Sequence, residues 1–247
     1  LIGIVIFVIL ITHVSNNIKS GRKNEEKRMR VTRERAAQNR EEMLGVAARL
    51  FREQGIDATG VDSISEAAGL THGAVYSRFG SKEAIAVEAI RRAFKGSLDL
   101  WRHVLEGKRS TSALAAVVRI YLSAEHRDHV GRGCVVAALG GEIARQPAQV
   151  RETFTAELKG VLELLAAAIP RESRSRRYDD AIFIFAALVG GLILARAVSD
   201  RGLSDRILRA SAAAVLRLAQ SRRSGRRALP SAGRRRFTAN GKRKRVN

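Results

Sequence analysis

Three glycines, Gly55, Gly69 and Gly80, each close a short run in which apolar residues recur every three or four positions. That punctuation limits the fold more than any other feature of the chain. From Gln38 to Gln54 the residues Met43, Leu44, Ala47, Leu50 and Phe51 paint one face of a helix, and Gly55 is placed to end it. Thr59 is the expected N-cap of a second, short helix, with Asp62 three residues on in an approximate capping box. Val61, Ile64, Ala67 and Ala68 form its apolar face, and Gly69 breaks it. Thr71 then caps a third helix whose inward residues are Ala74, Val75 and Phe79. Gly80 ends that one, and Ser81 caps a longer helix that runs to about Val104 through Ile85, Ile90, Phe94, Leu98 and Trp101.

An apolar fraction of 45% in 247 residues is ample for a packed core. Aromatics at 5% and only three prolines, in a chain rich in Ala, Leu, Arg and Glu, favour helix over strand, so the expected fold class is all-α. The single cysteine, Cys134, excludes an internal disulfide and a cysteine-rich zinc site, which points to a reducing, cytoplasmic setting. The formal charge of +21 is unevenly placed. Residues 221–247 carry eleven basic and no acidic side chains, and residues 1–40 carry nine basic against three acidic, which leaves +4 for the rest. Most of the excess therefore sits in two tails, and the tail 221–247 is expected to be disordered.

LIGIVIFVILITHV opens the chain without a methionine and supplies about fourteen apolar or near-apolar residues. This is fewer than the roughly 20 that a spanning helix needs, and no basic residue precedes it as in a secretory signal. The expectation is that residues 1–28 stand outside the functional fold and that the functional chain begins at Met29. The alternative is a short anchor with Lys19, Arg22 and Lys23 on the cytoplasmic side.

Two short helices joined by a tight glycine-containing turn, with a preceding helix to cover them, make a helix-turn-helix. Packing uses the apolar side of the third helix, leaving small and polar residues at its tip. Such a helix can enter the major groove of DNA, and its N-terminus favours a phosphate. At these residues the chain resembles the TetR family of bacterial transcription repressors. The matching run is AARLFREQG at 47–55, ISEAAGL at 64–70 and THGAVYSRFGSK at 71–82, within a resemblance covering about residues 38–85. Carried across position by position, the resemblance implies that Thr71, His72, Gly73 and Ser77 face the major groove and that Tyr76 and Lys82 meet phosphates. Arg78 stands where the family often has histidine, so its choice between base and phosphate stays open. Thr59, at the tip of the second helix, completes the expected DNA contacts.

Residues 29–85 are thus expected to form the DNA-binding domain and residues 86–220 a helical second domain. Its helices are expected at Ala113 to about Val130, Cys134 to about Arg145, Pro147 to about Ile169, Arg177 to Ser199 and Ser204 to Gln220. The resemblance implies that this domain binds a small-molecule effector and forms a two-fold homodimer through its last two helices. The first of these is apolar on nearly every side from Ala181 to Ala195, so it should be buried on every side, between its own domain and a partner subunit. Phe94, Trp101, Tyr121, Cys134 and Phe154 combine size or polarity with apolar surroundings and are the candidate effector-pocket residues. Cys134 has two readings: a thiol activated at a helix N-terminus, or a small packing residue. His126, His129 and Cys134 straddle a helix end without an acidic anchor, so no metal is expected. No nucleophile with a base, phosphate loop or cofactor motif is visible, so neither an enzyme nor a cofactor is expected. The expected function is a homodimeric repressor that binds a palindromic double-stranded operator and is released by its effector, without stable membrane association. The competing reading is a membrane-associated, polybasic interaction protein using the two tails.

Overall fold

The computed structural model describes residues 34–105, 111–169 and 173–224, and all regular structure among them is helical. The expected apolar extension at 1–28 lies outside the described residues, as does the basic tail from 225 onward. Helix α1 covers 34–54, α2 Val61–Ala67, α3 His72–Phe79 and α4 Lys82–Leu105. Then come α5 Thr111–Tyr121, α6 Ala124–Asp128, a 3-10 turn at Val130–Arg132, α7 Val135–Ile143, α8 Ala148–Ala168, α9 Arg174–Ala197 and α10 Arg201–Ser224.

The three helix-breaking glycines are the described residues with positive φ, at 91°, 64° and 75° for Gly55, Gly69 and Gly80. A side chain at any of them would be strained, which is why the breaks fall there. Thr71 Oγ1 accepts from the Ala74 amide at 3.3 Å and Ser81 Oγ from the Ala84 amide at 3.1 Å, so both expected caps form. Thr59 does not cap. The N-cap of α2 is Gly60, without a side-chain bond, and the Thr59 hydroxyl turns inward to donate to the Gly55 carbonyl at 2.6 Å. The chain leaving α1 exposes that carbonyl, and the buried hydroxyl is the group that satisfies it. On α2, Val61 and Ile64 are buried, whereas Ala67 faces out.

Helix α4 is continuous over 24 residues and belongs to both halves of the molecule: its start, with Ile85 and Ala86 buried, follows α3 and packs against it, while Phe94, Leu98 and Trp101 are buried in the second domain. The expected division between residues 85 and 86 therefore falls inside one helix. The helix expectation fails at Ser123. The helix anticipated from Ala113 to Val130 is split there, because the Ser123 hydroxyl accepts from the His126 amide at 3.1 Å and starts a new turn. Asp200 Oδ1 accepts from the Leu203 amide at 2.9 Å, so α10 starts before the expected Ser204, and it continues to Ser224.

In the second domain α8 packs between α4 and α9, and α9 packs on α10. Helix α9 is long and apolar enough to cross a membrane by length and composition alone, but its inner residues Ala181, Ile184, Leu188 and Leu192 are spent on the core. Its outer residues are not covered by other described residues: Phe183 is 55% and Leu194 57% exposed, with Ile182 and Ile193 beside them.

Candidate nucleic-acid interface and ligand cavity

Helix α3 is held by Val75 and Phe79, both buried, and α2 and α4 pack against it. Its opposite side presents Thr71, His72, Gly73, Tyr76 and Ser77 to solvent. His72 Nε2 lies 3.3 Å from Asp62 Oδ1 on α2, and its ring sits 4.7 Å from that of Tyr76, so two of the expected contact residues are held together. Ser77 Oγ donates to the Ala74 carbonyl at 3.1 Å. A Cβ added at Gly73 would meet nothing within 4 Å. A glycine within a helix costs about 1 kcal/mol against alanine, and no packing inside the protein demands it here.

Thr59 and Arg78 are turned into the protein, and Lys82 has a backbone partner. Thr59 is fully buried and cannot reach DNA with its side chain. Arg78 is half-buried, and its Nη1 is enclosed without a hydrogen-bond partner, so part of the guanidinium is turned into the domain. Lys82 Nζ donates to the Asp57 carbonyl at 3.0 Å, at the edge of the same surface.

About 540 Å³ of space opens in the second domain, a size ordinary for a small-molecule site. Its walls include Phe94, Leu98, Trp101, Tyr121, Val135 and Phe185. The rings of Trp101, Tyr121 and Phe185 meet edge to face at 5.9 to 6.3 Å. Of the five candidate pocket residues, four line the space. Phe154 does not; it packs edge to face behind Phe94 at 5.4 Å, because its turn of α8 faces α4 rather than the opening.

Cys134 is buried, and burial pushes its thiol above the ordinary range, outweighing the Val136 and Ala137 amides of α7 that favour the thiolate. Burial likewise pushes the Tyr121 phenol well up; its hydroxyl lies beside that thiol without reaching hydrogen-bond geometry. Of the two readings of Cys134, activation at a helix N-terminus is opposed by desolvation, and burial among apolar neighbours fits the packing residue. The Cys134 amide donates to His126 Nε2 at 2.9 Å, and His126 Nδ1 is 2.7 Å from the Tyr121 carbonyl. The imidazole thus carries its proton on Nδ1, and burial together with nearby Arg196 pushes its pKa down. Both nitrogens are taken, so His126 has none left for a metal; no group of three metal-ligating side chains occurs among the described residues.

The wall of this cavity is also the seam to the helix-turn-helix. Arg52 of α1 donates through Nε to the Gly131 carbonyl at 2.8 Å, next to the wall residues Arg132 to Val136. Further along, Glu142 of α7 accepts from the amides of Ile56 and Asp57 at 3.0 and 2.7 Å. Gln146 Nε2 reaches Asp57 Oδ1 at 2.9 Å. Sequence reasoning passed over Arg52, Glu142 and the rim arginines Arg119 and Arg132. The one local signal was the pair of glycines in Gly131-Arg132-Gly133; the structure buries both, and a Cβ on Gly131 would strike Glu53 and Arg49.

Residues 43–89 match the sequence profile described as bacterial regulatory proteins, tetR family. That stretch holds α2 and α3, so the likeness to the TetR family falls on the helix-turn-helix. Among curated relatives, it is 33% identical over 120 residues to the HTH-type transcriptional repressor KstR2 of Rhodococcus jostii, a match spanning 48% of this chain and 57% of KstR2. The fold extends the likeness over both halves. The reduced form of NemR from E. coli superimposes with a TM-score of 0.62 at 21% identity, covering 72% of this chain and 95% of NemR. FadR of Bacillus subtilis, solved in complex with stearoyl-CoA, gives 0.55 at 20% identity over 72% and 96%. The TetR-family signature thus lies in the helix-turn-helix, while the cavity domain shares its fold at low identity.

Proposed function

We propose that the protein is a cytoplasmic transcriptional repressor that binds a palindromic DNA operator as a homodimer and is released by a small-molecule effector. The observation that carries this reading is the tip of α3: an exposed polar surface with open space over Gly73, mounted on a helix whose other side is buried. A backbone that must come close to base edges or phosphates needs that space. The repressor role is supported by KstR2, which is named as one. Dimerisation is supported by the uncovered apolar side of α9, since large exposed apolar surface marks an interface. Two α3 helices about one DNA turn apart would read a two-fold symmetric site.

Effector control is supported by the cavity and its seam. A ligand that fills the cavity presses on Arg132 to Val136; the preceding Gly131 holds α1, and Glu142, later on the α7 that this segment begins, holds the loop at 56–57. A ligand favouring a cavity shape in which the two heads are wrongly spaced shifts the population away from the DNA-bound form. The test is selection of bound fragments from genomic DNA, followed by titration at several salt concentrations. Lys82→Ala should lower affinity for every selected site and reduce the salt slope by about one, and His72→Ala should change which sites are preferred. Failure to enrich any sequence would refute the reading.

A further inference from the structure

We infer that the cavity ligand is an acidic amphiphile, an apolar body carrying one anionic group, with the anion held at the rim by Arg119 and Arg132. This rests on the effector reading above and adds the chemical class. The interior walls are aromatic and aliphatic. Leu100 and Ile120, which line the same space, are 49% and 43% exposed, so apolar surface continues out to the opening. Charge at the opening is one-sided. Arg119 and Arg132 line it, are exposed, and have no ion-pair partner among the described residues. Its one acid, Glu125, is already 3.1 Å from His129 Nδ1. Directly behind Gly133 stands Arg196, which donates to the His126 and Arg127 carbonyls while its Nη1 is buried without a partner. The exposed cations of the lining are thus Arg119 and Arg132, with Arg196 behind Gly133, and a guanidinium fork suits a carboxylate or phosphate. A cationic ligand would meet repulsion there, and a neutral one would leave the two rim arginines without a partner.

Trp101 is the sole tryptophan of the chain and lies in the cavity wall, so its fluorescence reports occupancy without DNA. Dodecanoate, dodecyl phosphate, dodecanol and dodecyltrimethylammonium, each below its critical micelle concentration, separate headgroup from chain. We expect at least one anion to bind about tenfold or more tightly than the alcohol, and the cation to bind weakest; the tighter anion identifies the headgroup. Arg119→Gln combined with Arg132→Gln should remove that preference and leave dodecanol affinity unchanged. Equal binding of all four, a preference for the cation, no binding of any, or a preference that survives the double variant would each overturn the inference. Operator affinity is measured separately. An anion that binds but leaves DNA affinity unchanged would sink effector release and leave the ligand class standing, whereas a cation that binds and releases DNA would do the reverse.

Discussion

The two working regions of the molecule are built in opposite senses. On α3 the chemistry faces outward from a short helix pinned by two buried residues, whereas in the second domain the chemistry faces inward and is made of core side chains. Function and stability are therefore separable at α3 and entangled at the cavity. The family profile matches residues 43–89, the stretch that holds α2 and α3. Around the cavity the likeness to solved structures is one of fold, at 21% and 20% identity to NemR and FadR.

The sharpest way to break this contrast is a matched pair of truncations. Phe94→Ala removes a fully buried ring and should cost about 3–5 kcal/mol of stability. Tyr76→Ala, at an exposed position, should stay within about 0.5 kcal/mol while weakening DNA binding; urea unfolding and DNA titration on both variants decide it. Next in size is Glu142→Gln, which keeps shape but leaves one of the Ile56 and Asp57 amides facing an NH2 group. Ligand binding by Trp101 fluorescence should be unchanged, while the ligand-induced loss of operator affinity shrinks about tenfold, or ~1.4 kcal/mol. If the loss persists in full, the seam does not run through Glu142.

Gly73→Ala sharpens the comparison further because its two effects should have opposite signs. The fold should gain about 0.5 kcal/mol, since a Cβ there meets nothing, yet operator affinity should fall; a gain in both would show that nothing approaches that backbone. The smallest effect concerns pH. The folded-state pKa of His126 is depressed, so the unfolded chain takes up the proton first. Its contribution is full above about pH 6.5 and is lost as pH falls towards the folded value. Protonation also deprives the Cys134 amide of its acceptor. The melting temperature should fall between pH 7.5 and 5.5 by more in the native chain than in His126→Gln, whose amide can both accept and donate; equal falls would contradict the assignment.

What was legible in the sequence follows the same division. The glycine breaks, the Thr71 and Ser81 caps and the buried face of α3 are local, and the structure forms them where the spacing puts them. Thr59 was misread because its hydroxyl bonds backward to Gly55 rather than forward into α2, and both choices suit the same local sequence. The break at Ser123 was hidden because apolar spacing continues through it. The pairing of Glu142 with Ile56 and Asp57 joins residues some 85 apart along the chain, and Phe154 misses the cavity only because of how α8 is rotated against α4. Neither is encoded in any short stretch.

Helix α4 has a mechanical consequence. At 1.5 Å per residue its 24 residues make a rod roughly 36 Å long, with Lys82 next to α3 at one end and Trp101 in the cavity wall near the other. If the rod pivots near its cavity end, a tilt of only about 5° carries the far end through about 3 Å by the same geometry, more than a hydrogen bond to a phosphate tolerates. A small expansion around an occupied cavity is thereby magnified by leverage alone, with no part of the helix-turn-helix having to change shape.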